Sequence, residues 1–467
     1  MKNISEIVFL VLLVSIARVE CAKQEKGYYW SDSPREGSFT SLVEVADQVV
    51  VLVGSYGASE GIISKVTFSS GWTVNHNSKI ATSGATCSGF QVGKFSKSTL
   101  SEFVVISYTC GSQIYVSLYD HDVWTAVKAV SLSHGTLSTT PDVSMTFMQD
   151  RVAIGFNAGS TGLIVVLDQD LNEVLEITTS KHSIGAISSD DEDYRIYATG
   201  ANDSTIPYLA SFSTNALLSE KTITVSSSTL ELVCLAVSSD EEISVIFKQT
   251  KNNSVEGYRF INTDSNFTEK SGYLSASSTS YSFGNCARLS QTQAVAFTST
   301  TNQLATFYSS TDYSSGGFKS ANTGSWKSEA KDIVLGSHGQ NVYYAAGAVN
   351  GSTNYPAFYY VNLAESNGSF NSLDSLSPNS DFTLDTVAAS SVDWAFATSN
   401  FSATITTQSA TIGFETLTIT TKEASTFGSL QDPNSNGNSA SWIGASSNVF
   451  ISYFLTSLYM VVPVCFQ

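Results

Sequence analysis

Hydrophobic residues in this chain come in short runs rich in Val, Ile, Phe and Tyr, cut off by polar turns before a helical period can build up. The same phrase keeps returning: an apolar run, a polar turn, a second apolar run, a turn, then a shorter third run. It reads from Ser41 to Phe68, then Phe103–Asp120, Val143–Asp168, Ala186–Phe212, Leu235–Ile261, Ala287–Tyr308, Ile333–Val361 and Val387–Thr407. The second runs begin near Gln48, Phe103, Arg151, Tyr194, Ile243, Ala294, Asn341 and Asp393, a period of roughly 50 residues.

A unit of that length holds four short antiparallel strands, A to D, and cannot bury its own apolar faces. Stacking copies around an axis can. The pattern therefore predicts an all-β chain folded as a single β-propeller of about eight or nine four-stranded blades. In the fifth repeat the predicted strands are Leu232–Ser238, Ile243–Lys248, Val255–Ile261 and a D strand near Ser271–Ala276. Near the N-terminus, Gly27–Asp32 resembles other D strands such as Ser70–Thr73 and Asp122–Thr125. Lent to the last repeat, it would close the ring and cover an exposed sheet edge.

The two ends carry further signals. Lys2 followed by the apolar run Ile7–Ile16 reads as a secretory signal over residues 1–21, leaving 22–467 as the propeller. At the other end two readings of 441–467 stand. Val449–Val464 aligns with Val104–Tyr119 as a last blade. Alternatively, small residues at Asn436–Ala440, a polar spacer and an apolar tail from Val449 to Phe466 make a cleaved glycolipid-anchor signal. The predicted location is secreted and extracellular, or the cell surface if the anchor reading holds.

Six Asn-x-Ser/Thr sequons fit an extracellular route. Asn202, Asn252, Asn350 and Asn400 fall in predicted B–C turns, and Asn266 and Asn367 in predicted C–D turns. Glycans need exposed loops. Cysteine usage agrees. Cys87 and Cys110 lie equally far from a turn near Ser98, so a disulfide between strands A and B is expected. Cys234 and Cys286 take matching A-strand positions in adjacent repeats, where a bridge is possible if the ring is narrow enough. Cys21 belongs to the signal and Cys465 is the odd thiol.

Charge removes one class of partner. With 41 acidic against 23 basic residues, the net charge of -18 repels phosphate backbones, so nucleic acid is not expected. Five histidines, His76, His121, His134, His182 and His338, sit in no metal-ligand pair and beside no nucleophile. One acidic feature concentrates: Asp190, Asp191 and Asp193 in one A–B turn, Asp240 and Glu241 in the next, and Asp150 in the one before. Solvated turns explain such residues, and so does a calcium or basic-partner site. No other cofactor is expected.

Val92-Gly93-Lys94-Phe95, running on to Tyr119, resembles the repeat of integrin-type (FG-GAP) propellers, which implies calcium in an Asp-rich loop that this segment lacks. Ile114–Asp120 followed by Trp124-Thr125 resembles sialidase-like propellers. That resemblance implies an arginine cluster, yet only Arg35, Arg151, Arg195, Arg259 and Arg288 follow the signal, and the family's Asp-box is missing. The expected role is non-catalytic: a binding, adhesion or scaffold propeller taking an extracellular protein or glycan, with membrane contact only through a lipid anchor. The alternative is a sialidase-like, carbohydrate-active hydrolase with degenerate motifs, which would need paired carboxylates at catalytic separation.

Overall fold

A computed structural model describes the strands and most turns between Lys26 and Glu423. Residues 1–25 and 424–467 lie outside it, as do stretches between strands, among them 96–102, 191–193, 202–205, 239–240, 363–375, 387–393 and 398–403. The predicted signal, the tail 441–467 and Cys465 therefore lie outside the described residues.

The described chain is built of strands. β1 (Lys26–Ser31) joins a sheet formed much later in the sequence. Blade 1 is β2 (Gly37–Ala46), β3 (Val49–Tyr56), β4 (Glu60–Phe68) and β5 (Trp72–Ala81). Blade 2 is β6 (Cys87–Gly93), β7 (Phe103–Cys110), β8 (Gln113–Asp120) and β9 (Thr125–Ser133). Blade 3 is β10 (Val143–Met148), β11 (Arg151–Ala158), β12 (Thr161–Asp168) and β13 (Glu173–Thr179). Blade 4 is β14 (Ala186–Ser189), β15 (Ile196–Ala201), β16 (Pro207–Phe212) and β17 (Leu217–Val225). Blade 5 is β18 (Thr229–Val237), β19 (Ile243–Lys251), β20 (Ser254–Thr263) and β21 (Glu269–Ser275). Blade 6 is β22 (Tyr281–Leu289), β23 (Thr292–Ser299), β24 (Leu304–Ser310) and β25 (Gly316–Ala321). Blade 7 takes β26 (Lys327–Leu335), β27 (Asn341–Asn350) and β28 (Thr353–Asn362), with β1 as its fourth strand.

First strands of successive blades touch one another, which puts them at the axis. β26 packs against β2, so the ring shuts. Middle strands lose the usual in–out alternation: β7 is buried at every position after Phe103. Both faces of a blade are covered by neighbours, so Val105, Ile114 and Val116 of blade 2 pack on Val152, Ile154 and Phe156 of blade 3. Each fully buried side chain of this kind stabilises by about 1.5–3 kcal/mol.

The propeller expectation holds, but its blade number does not. Six four-stranded blades follow one another along the chain and a seventh sheet is completed by β1, in place of the eight or nine expected. The N-terminal strand does close the ring. It pairs with β28, as Tyr28 opposite Phe358, and so closes the seventh repeat rather than a ninth. The segment Val387–Thr407, expected as an eighth blade, contributes two strands to two different blades.

Those strands belong to a belt. β29 (Leu376–Pro378), β30 (Phe382–Thr386), β31 (Trp394–Ala397), β32 (Thr404–Thr407), β33 (Gly413–Thr416) and β34 (Thr420–Glu423) each add a fifth, antiparallel strand to the outside of a blade. They pair in turn with β21, β17, β13, β9, β5 and β1. The belt thus visits blades 5, 4, 3, 2, 1 and 7. An alternating Thr-rich strand fits any open antiparallel edge, and its pattern does not specify which edge. For the same reason two sequon positions need correction. Asn367 falls between β28 and the belt, and Asn400 between β31 and β32, so neither stretch is a turn inside a blade.

Candidate functional site

The acidic turns lie on one face, where the first strand of each blade turns into its second. These turns share a backbone device. Gln48, Gln149, Tyr194 and Glu241 all take positive φ, from 34° to 56°, one or two residues before the second strand begins. In blade 5 the turn is closed by the Glu241 N–H donating to the Ser238 carbonyl at 3.1 Å and the Ser238 N–H to the Glu242 carbonyl at 3.0 Å. Repetition of this turn sets residues of blades 3, 4 and 5 beside one another.

The described acids there meet partners across blade boundaries. The Tyr194 hydroxyl donates to Asp150 Oδ1 at 2.8 Å, and the Arg151 guanidinium lies 4.5 Å from the centre of the Tyr194 ring. Arg151 Nε is 3.8 Å from Asp150 Oδ1, so a cation, a carboxylate and a ring form one group. Accepting that bond, Asp150 raises the Tyr194 phenol above its ordinary value. One blade on, Arg195 pairs with Glu241 at 3.1 Å and donates to the Tyr197 hydroxyl at 3.2 Å. Burial pushes the Tyr197 phenol up to about 12. Asp190, directly after the first strand of blade 4, is buried. Asp191, Asp193 and Asp240 lie outside the described residues. Among the described residues no three His, Cys, Asp or Glu side chains gather as a metal site.

Nearer the axis, polar side chains and backbone join one blade to the next. Thr40 donates to the Phe90 carbonyl at 2.6 Å, and the Val92 N–H donates to Ser41 Oγ at 3.2 Å, joining blades 1 and 2. Gln91 donates to the Val143 carbonyl at 2.6 Å, joining blades 2 and 3. The Ile187 N–H donates to Ser144 Oγ at 3.0 Å, joining blades 3 and 4. Arg195 and Glu241 join blades 4 and 5. Cys234 and Cys286 are disulfide-bonded across blades 5 and 6, with their Cα atoms 5.9 Å apart. Asp332 serves the last two junctions: Oδ1 accepts from Asn285 of blade 6 at 2.7 Å, and Oδ2 from the Leu42 N–H of blade 1 at 3.2 Å. Every junction of the ring thus has a polar or covalent tie.

The other disulfide, Cys87–Cys110, forms inside blade 2, where the two residues are direct partners in the β6–β7 ladder. Val92-Gly93-Lys94-Phe95 sits at a junction and not in a cation-binding loop. Lys94 donates to the Val45 carbonyl of blade 1 at 3.3 Å. A Cβ on Gly93 would run into the Phe147 ring of blade 3, which Phe95 meets edge-on at 5.8 Å.

The three axial carboxylates whose bonds are described are in structural use. Glu44 accepts from the Tyr343 hydroxyl at 3.0 Å, Glu231 pairs with Lys248 at 3.1 Å, and Asp332 holds the contacts above. Of the sequons, Asn252 and Asn266 are exposed in turns of blade 5. Asn252 and Asn253, both at positive φ, form the two-residue hairpin joining β19 to β20. Asn350 ends β27 opposite Thr353, in the corresponding hairpin of blade 7. Asn202 lies outside the described residues, in the stretch joining β15 to β16. Asn285 and Asp332 escaped sequence reasoning, because isolated polar residues within strands carry no spacing signal.

No protein-family model and no curated protein matches this chain. Among solved structures, a polysaccharide lyase, Uly1, is similar over 75% of this chain and 95% of its own, at 10% identity and a TM-score of 0.45. The Dos1 propeller is similar over 74% and 97%, at 8% identity and a TM-score of 0.44. Sqt1 from Chaetomium thermophilum, bound to the N-terminus of ribosomal protein L10, is similar over 72% and 98%, at 8% identity and a TM-score of 0.43.

Proposed function

We propose that this chain is a secreted or cell-surface glycoprotein whose propeller binds an extracellular protein or glycan without catalysing a reaction on it. The observation that carries the reading is the use of the polar groups near the axis. Glu44, Asp332, Gln91 and Ser41 are spent on holding blades together, and Glu231 pairs with Lys248 inside blade 5. A hydrolase would keep two carboxylates for a glycosidic bond. Two disulfides support an oxidising compartment, since such bonds are rare where glutathione keeps thiols reduced. The exposed turn position of Asn252 and Asn266 supports glycan attachment.

Within this reading, the acidic turns of blades 3 to 5 form the contact surface, attracting a basic partner directly or through a bridging calcium ion. The full chain with its own N-terminus, expressed in cultured eukaryotic cells, is expected in the medium. Its mass should fall on glycosidase treatment, and Asn252→Gln with Asn266→Gln should remove part of that fall. The secreted protein should be inert toward fluorogenic sialosides and other glycosides. It should bind immobilised basic extracellular proteins or glycans more weakly when Asp191, Asp193 and Asp240 are changed to Asn. A cytosolic, unglycosylated product would overturn the address, and glycoside turnover would overturn the non-catalytic role.

A further inference from the structure

The belt has a direction. Starting on blade 5, each belt strand steps back by one blade, through 4, 3, 2 and 1 to 7, where β34 ends at Glu423. The next blade in that sense is blade 6, because β26 of blade 7 packs against β22 of blade 6. Among the described residues, blade 6 alone has four strands and no fifth; its outer strand β25 pairs on one side with β24. An open antiparallel edge presents a row of backbone donors and acceptors, a ready site for strand addition. The chain continues for 44 residues beyond Glu423, counted as 467 less 423.

We propose that Phe427–Gln431 pairs antiparallel with β25 (Gly316–Ala321) as the seventh belt strand, so that the belt covers the outer edge of every blade. Spacing selects this segment. Links between successive belt strands run from three residues (379–381 and 417–419) to seven (387–393). A three-residue link after Glu423 brings the chain to Phe427. Phe427-Gly428-Ser429-Leu430-Gln431 is as long as Phe382–Thr386 and carries no charged residue, with Phe427 and Leu430 on opposite faces of an extended strand. Asp432-Pro433 then supplies a turn signal that ends the strand. The occupant lies ahead of residues 441–467, so it survives either fate of the tail.

Hydrogen exchange at the backbone amides of Gly316–Ala321 tests this, with the Glu269–Ser275 amides of blade 5 as a control for an intact ring. In the full chain, Ser429→Pro removes a ladder donor at the centre of the new strand. It should speed exchange in Gly316–Ala321 by about tenfold and leave blade 5 unchanged. A chain ending at Ala440 should keep the wild-type protection, and one ending at Glu423 should lose it. Equal exchange in all four proteins overturns the proposal. Protection lost already on ending at Ala440 assigns the edge to the apolar tail and overturns Phe427–Gln431. Protection that rises with protein concentration, alongside dimer in light scattering, assigns the edge to a second copy and likewise overturns it.

Discussion

Asp332 shows how much one side chain can carry when it joins three blades. It is only 8% exposed, and its oxygens receive Asn285, the Ile333 N–H at 2.9 Å and the Leu42 N–H. Burial raises its carboxyl above the ordinary 3.8, against the opposing pull of bonds from Asn285, Ile333, Leu42 and Ser41. Above pH 4, therefore, the unfolded chain releases this proton before the folded chain does. The folded state then binds more protons than the unfolded state, and its stability falls as pH rises through the window up to the raised value. The loss is about 1.4 kcal/mol for each pH unit of that window. Asp332→Asn has no proton to lose, so the difference in unfolding free energy between wild type and variant should shrink from pH 4 upward. Urea titrations at pH 4 to 7 would read it, and a difference that stays flat or grows would refute the assignment.

At the scale of elements, two strands from opposite parts of the sequence meet on blade 7. β1 is an interior strand, with Tyr28 paired to Phe358 on one side and Glu423 on the other. β34 lies outside it, with Thr421 paired to Trp30. Proline in an interior strand removes a ladder bond and clashes with its neighbour, whereas an edge strand tolerates it. Tyr28→Pro should cost about 1–3 kcal/mol, the penalty of leaving a buried ladder partner unsatisfied, and Thr421→Pro clearly less. Chemical denaturation of both full-length variants gives the comparison, and equal losses would mean that β1 does not close the ring. Short belt strands are also a defence, since they cover edges that otherwise invite pairing between molecules.

Across the whole molecule, a ring has no terminal blade, and its stability depends on every junction holding. The Cys234–Cys286 bridge is the covalent one among the described junctions and closes a sequence separation of 52. Removing it with Cys234→Ser and Cys286→Ser should lower unfolding stability by about 4 kcal/mol, as loop closure of that length predicts. A calorimetric scan showing an unchanged midpoint would mean that the noncovalent ties suffice. The chain carries a net charge of -18, and ties such as Arg195–Glu241 set opposite charges beside one another where two blades meet.

What the sequence determined is whatever is local or periodic. Runs such as Phe103–Cys110 and Gln113–Asp120 are strands wherever they sit, and a period near 50 residues can only be buried by copies around an axis. Cys87 and Cys110 were legible as a pair because a hairpin puts residues equidistant from its turn opposite each other. Tertiary structure decided the closure number, since the angle between blades comes from packing such as Gly93 against Phe147 and not from strand pattern. It decided the fate of residues 376–423, since a strand's alternation records its faces and not its partner. It also decided the role of Asp332, whose bond to Leu42 spans 290 residues and exists only because the ring brings the last blade back to the first.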